Sequence, residues 1–248
     1  MVLVTSICVP NAFAGRPLTI DDAEPVPPRI FELEAGLRYE ERTGSDHFDF
    51  PVALAYGVFN RVEVGLGFGG QLEQQEELQQ NRLTTDVSDF VLGTKVKLLD
   101  AERSWASQAL SFSVKFPTAD ENRGMGSGCV DYDLTWIASK PVGDKFGVHV
   151  NVGHTWVGAD HDSELRDLLH YGLALDYQLT PSFQLVGEVF GVSSLGKGSE
   201  TSVIINGGGR WTIRPNLVLD AAVGHTVHGP GAAVFGTIGL TWAFGAGL

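Results

Sequence analysis

The sequence has no stretch of about 18 or more uninterrupted apolar residues, which excludes a bundle of membrane-spanning helices. Basic residues are scarce: 17 Lys and Arg stand against 30 Asp and Glu, for a formal net charge of −13. That balance argues against nucleic acid as a partner. Cysteine is nearly missing. Cys8 lies in a segment expected to be removed, so Cys129 has no intramolecular disulfide partner. Catalytic signatures are missing too. Gly126-Ser127-Gly128 lacks the spacing of a nucleophile elbow. Gly65-Leu66-Gly67-Phe68-Gly69-Gly70 sits in an alternating segment with no helix after it, so tight packing explains it better than phosphate binding. No enzymatic activity and no cofactor are expected.

What remains suits a β-barrel. The chain has 248 residues, enough for one barrel domain. It carries 31 Gly, 10% aromatic and 43% hydrophobic residues, with a mean hydropathy of +0.04. A barrel fits this modest hydropathy because only alternate residues need to meet lipid. Residues 1–14 are mostly apolar and end in Ala12-Phe13-Ala14, the pattern of a cleaved secretory signal peptide. Thr5-Ser6-Ile7 is a poor match to a lipidation site at Cys8. Residues 15–28 carry Pro17, Pro25, Pro27 and Pro28 and read as an irregular periplasmic lead-in. The barrel is expected over 29–248.

Period-two alternation then runs along the chain. Phe90, Leu92, Thr94, Val96 and Leu98 oppose Asp89, Val91, Gly93, Lys95 and Lys97. Leu110, Phe112, Val114 and Phe116 oppose Ser111, Ser113 and Lys115. Tyr132, Leu134 and Trp136 oppose Asp131, Asp133 and Thr135. Leu169, Tyr171, Leu173 and Leu175 oppose His170, Gly172, Ala174 and Asp176. Such sorting puts water on one side and an apolar medium on the other. Twelve strands follow, over 29–43, 47–59, 61–71, 87–99, 106–117, 129–140, 146–158, 167–179, 182–194, 201–213, 216–227 and 231–244. Most have room for the ~9–11 residues of a tilted membrane crossing.

The connections alternate in length. Tight turns at 59–61, 99–106, 141–145, 180–182 and 214–216 carry the Pro, Asn, Asp and Gly that short turns require. Longer polar links span 72–86, 118–128, 158–166 and 195–200. Short periplasmic turns and long outer loops are the outer-membrane pattern. The last strand presents Val234, Ile238, Leu240, Trp242 and Phe244 on one face, like the assembly signal of outer-membrane barrels. A soluble barrel with its apolar face inside is the rival; the leader, the turn asymmetry and this terminal comb favour the membrane.

Asp89-Phe90-Val91-Leu92-Gly93-Thr94-Lys95-Val96-Lys97-Leu98-Leu99 resembles a strand motif of a bacterial outer-membrane family named for the meta-pathway of phenol degradation. Ser113-Val114-Lys115-Phe116-Pro117-Thr118-Ala119-Asp120 resembles its next strand and loop entry, with Ala119 where Gly is usual. Gly126-Ser127-Gly128 with Asp131, Asn151-Val152-Gly153 and Gly187-Glu188 fit its later strands. The resemblance implies an outer-membrane channel or transporter for small molecules, with hydrophobic or aromatic compounds as one class of solute.

Alternation sends a charged set inward, acidic residues in excess. Lys95, Lys115, Asp131, Asp133, His149, Asn151, Glu188 and Arg210 are the candidate lumen-lining and solute-binding residues. Lys95, Lys115, Asp131, Asp133, Glu188 and Arg210 are expected to form one mid-lumen cluster. A wet lumen of this sign should lean toward cations. The charges could equally pair across the lumen and plug it. His225 with His228, and Asp160-His161-Asp162, read as solvated rim residues rather than metal ligands. The alternatives are a lipid-acting barrel enzyme, for which His154 lacks an outward serine beside it, and a structural barrel without transport. The expected surroundings are lipid and lipopolysaccharide, with assembly machinery at the last strand, in a monomer of the outer membrane.

Overall fold

The computed structural model describes residues 15–42, 45–77, 80–120, 127–158, 166–196 and 198–246. The proposed leader, 1–14, and Asp160-His161-Asp162 lie outside them. Thirteen strands follow in chain order: β1 Ile30–Arg42, β2 Ser45–Phe59, β3 Val62–Glu77, β4 Gln80–Val87, β5 Phe90–Leu99, β6 Ser107–Phe116, β7 Asp131–Val142, β8 Phe146–Val157, β9 Leu168–Thr180, β10 Phe183–Ser194, β11 Thr201–Arg214, β12 Leu217–His228 and β13 Val234–Gly245.

All pairings between them are antiparallel, and β1 pairs with both β2 and β13, which closes the sheet. Closure removes the edges that an open sheet would expose to lipid. Thirteen strands make twelve staves, because β4 and β5 both pair with β3. Gly70–Glu77 of β3 pairs with β4, and Val62–Gly67 pairs with β5. The link expected over 72–86 is a hairpin that continues β3 outward, eight residue pairs deep and so roughly 25 Å long.

The pleat fixes what each face meets. Val64, Leu92, Leu134, Leu173, Val223 and Ile238 are exposed on the outer face. Glu63, Lys95, Asp133, Glu188 and Asp220 are buried inside. A soluble protein would reverse that arrangement, so the outer face is the lipid face and the barrel is of the outer membrane. Aromatic rings gather near the short-turn end. Phe31 lies 4.5 Å from Tyr56, Trp242 lies 4.7 Å from Phe244, and Phe146 lies 4.6 Å from Tyr177, between ring centroids. Such a girdle marks a membrane–water interface.

A shallow apolar hollow of about 490 Å³ interrupts the lipid face where Gly207, Ala221 and Gly236 have little or no side chain. Backbone pairing continues across it from β11 through β12 to β13, so the wall is unbroken there.

Residues 15–28 also differ from the expected lead-in. They do not lie below the barrel as a lead-in. They run inside it: Leu18, Ile20, Ala23 and Val26 are all buried against inward residues of the wall.

Replacing Val223 with Lys should destabilise the barrel by ~2–4 kcal/mol, the cost of a charge on the lipid face near mid-membrane. Urea unfolding in vesicles measures it.

Candidate lumenal site

An irregular segment inside a barrel has no sheet ladder to satisfy its backbone. Prolines lessen the demand, since Pro17, Pro25, Pro27 and Pro28 carry no N–H. The Asp22 and Glu24 N–H groups donate to the segment's own Asp21 and Asp22 carboxylates, and many of the other groups find side chains on the wall. Thr19 N–H and Ile20 N–H donate to Glu188 at 2.8–2.9 Å. Ala23 N–H donates to Ser139 Oγ at 2.9 Å, and Val26 N–H to Glu63 Oε2 at 2.6 Å. Asn206 Nδ2 donates to the Pro17 carbonyl at 3.2 Å. Arg210 donates to the Gly15 and Arg16 carbonyls, each at 2.6 Å. The Asn151 amide, in the orientation its neighbours require, donates to the Asp21 carbonyl at 2.9 Å and accepts the Asp21 N–H at 2.8 Å.

Ion pairs reinforce this lacing. Lys95 Nζ meets Asp21 at 3.0 Å and Glu63 at 3.5 Å. Lys97 meets Glu24 at 2.6 Å and Asp100 at 3.0 Å. In the turn below, the hydrogen bonds from Lys97 and Arg61 hold the Asp100 carboxyl below the usual carboxylate range. Arg16 reaches Asp220 at 3.2 Å and Thr237 at 2.9 Å. Its guanidinium lies over a directly paired glycine couple, Gly36 of β1 and Gly239 of β13. A Cβ at either position would come within 2.4 Å of it. Two neighbouring strands thus omit their side chains where one arginine is seated.

Between Ala23 and Gly15, one chain of hydrogen bonds follows the wall. Ser139 Oγ accepts from Ala23 and shares a second hydrogen bond with His149 Nδ1 at 2.9 Å. His149 Nε2 then donates to Asp176 at 2.6 Å. Gln184 joins Asp176 at 2.8 Å to Arg210 at 3.1 Å, and Arg210 returns to the segment. Ser, His and Asp in this order are also the parts of a hydrolase triad. Here the serine oxygen is taken up by the Ala23 N–H, and the trio anchors the segment.

The expected single cluster of six charged residues divides into separate groups. Lys95, Glu188 and Arg210 each hold the segment, at different points. Lys115 sits near the outer end, with Asp89 and Asp131 each at 2.8 Å and Ser127 beside it. Asp89 also accepts the N–H groups of Thr118 and Ala119, so it shapes the loop after β6. Asp133 accepts from Thr135, Thr155 and His170, each at 2.7 Å. Alternation finds the inward face of each strand but not the height or neighbours of a residue on it. Arg16, Ser139 and the glycine seat were missed for that reason, since their role depends on long-range pairing.

The lumen also holds an apolar lane. Leu18 and Ile20 pack on Ala174, Val186, Phe190 and Val192, with Leu168 and Ile204 against the same cluster. On the outer face, His154 has Leu134 and Leu169 as cross-strand neighbours and Trp156 as its ring partner at 4.6 Å. His225 and His228 are both exposed at the outer end of β12.

Gly36→Val should unseat Arg16 and loosen the segment. Amide exchange of residues 15–24 is then expected to quicken while the strands stay protected, read by hydrogen-exchange mass spectrometry.

Solved structures share this fold. An outer membrane channel from Pseudomonas putida F1 superposes with a TM-score of 0.68 at 15% identity, over 90% of this chain and 98% of that one. The KdgM porin in complex with disordered oligogalacturonate gives 0.55 at 12%, over 85% and 99%. The CymD monoaromatic hydrocarbon channel gives 0.52 at 10%, over 89% and 90%. No curated protein matches the chain in sequence. The family model described as "Putative MetA-pathway of phenol degradation" matches residues 14–244, nearly the whole chain, and the chain belongs to that family.

Proposed function

We propose that the protein is an outer-membrane channel for small molecules, held closed by its own N-terminal segment. The observation that carries this reading is the lacing of residues 15–26 to inward side chains around the wall. A barrel needs no internal segment to be stable, since its ladder is complete. A segment held in the lumen by side chains, rather than built into the sheet, is suited to closing a path and leaving it. The fold shared with channels and porins supports a transport role. The family description and the hydrocarbon channel among the similar structures favour apolar or aromatic solutes.

The charge arrangement supports a cation-leaning path for ions. Lys95, Lys97 and Lys115 each stand between two carboxylates. At Lys97 the charge is balanced by Arg61 on Asp100, but the Lys115 group keeps a surplus negative charge, which raises the local cation concentration. Lipid and lipopolysaccharide around a monomeric barrel, with the assembly machinery engaging β13, complete the proposal.

The test is single-channel conductance in planar bilayers. Deleting residues 15–24 should raise the unit conductance above that of the whole chain, with heat-modifiable gel migration confirming a folded barrel. Equal currents from both would refute closure by the segment. In the opened barrel, Asp131→Asn with Asp133→Asn should move the reversal potential toward anions; an unchanged potential would remove the claim of cation preference.

A further inference from the structure

The lane under Leu18 and Ile20 is out of character with its surroundings. Most of the inward wall described above is polar and engages the segment through hydrogen bonds. Along β9, β10 and β11, however, Ala174, Val186, Phe190, Val192 and Ile204 place apolar groups in the lumen. A water-filled pore gains nothing from apolar lining, and burying such surface requires an apolar partner. The partner on display is the segment itself, through Leu18 and Ile20. Gly172 widens the seat, since a Cβ there would meet Ile20 Cδ1 at 2.5 Å.

The lane is less fully buried at one end. Leu168 opens β9, and Val192 and Ile204 sit near the outer ends of β10 and β11. The lane thus leads from the outer end down to Phe190, near the middle. A solute entering from outside meets its partly buried outer end, Leu168 and Ile204, first. Phe190 is 4% exposed and Val192 2%, so there is no room for solute and segment together beside them.

We infer that this lane is a binding site for a small apolar or aromatic molecule, and that Leu18 and Ile20 are its built-in competitors. The inference rests on the channel reading above and assigns its apolar solute a place in the lumen. A solute that fills the lane replaces the two side chains. The segment then keeps its polar anchors but loses its apolar contact, which biases it toward leaving. When a site is available for only a fraction of the time, its apparent affinity falls by that fraction. Removing the competitors should therefore tighten solute binding without any new contact.

The test uses toluene as the probe and glucose as a polar control, with the full chain in lipid nanodiscs. Saturation-transfer NMR titrations compare wild type with L18S/I20S, which keeps Arg16, the backbone bonds to Glu188 and every wall residue. Apparent toluene affinity should rise by roughly tenfold in that variant, and glucose should show no change. F190S in the L18S/I20S background should abolish the gain; V192S serves instead if gel migration shows F190S unfolded. Equal toluene binding by wild type, L18S/I20S and the lane variants would overturn the site. Conductance of the same samples separates the two claims. Currents that rise without tighter toluene binding leave the channel and remove the lane. Tighter toluene binding without current in any variant, including the 15–24 deletion, keeps the lane and removes the channel.

Discussion

A stretch of irregular backbone buried inside a barrel must find hydrogen-bond partners from side chains, and much of this lumen is organised by that demand. Each orphaned N–H or carbonyl left in the interior costs about 1–3 kcal/mol. Glu188, Asn151, Ser139, Glu63, Asn206 and Arg210 meet this demand from five different strands. Their types follow from it. Carboxylates accept from N–H groups, amides serve both roles, and the arginine fork donates to two successive carbonyls. Charges that look like pore lining in isolation are largely the far halves of these contacts.

The same constraint explains why the segment is held without being fused to the wall. Over residues 15–26 its bonds involve side chains, so releasing that stretch breaks no ladder and leaves the sheet intact. Ion pairs at Lys95, Lys97 and Arg16 are partly repaid by water once the segment leaves, because each partner can be hydrated. Apolar contact at Leu18 and Ile20 has no such compensation, and there an apolar solute can intervene.

Much of the fold was legible in the sequence because alternation is local. Lys95 and Lys97 opposite Leu92 and Val96 fix a face without any knowledge of partners. The inward assignment of Glu188 and Asp220 needed only the same parity. The hairpin of β3 and β4 was not legible, because its polar sequence reads as a loop once it leaves the membrane and the apolar face ends. Residues 15–28 were not legible either. Four prolines remove any period, and a segment without a period reads as a connector. One signal pointed inward: the wall offered more acidic groups than its own bases could pair, and the segment carries Arg16 and four backbone donors that use them. The separation of Lys115 and Asp133 from the Lys95 group was beyond reach, since strand stagger sets height.

The central claim is that residues 15–28 close the lumen from within, and locking them there tests it most directly. Ala23 packs with Ala109 and Ile137, so cysteines at 23 and 109 would tie the segment to the wall. Cys8 and Cys129 are first replaced by Ser, and mass spectrometry confirms the bond. The account predicts a silent barrel when oxidised and ionic current when the bond is reduced under the same voltage. Equal current in both states would contradict it, since the path would then run independently of the segment.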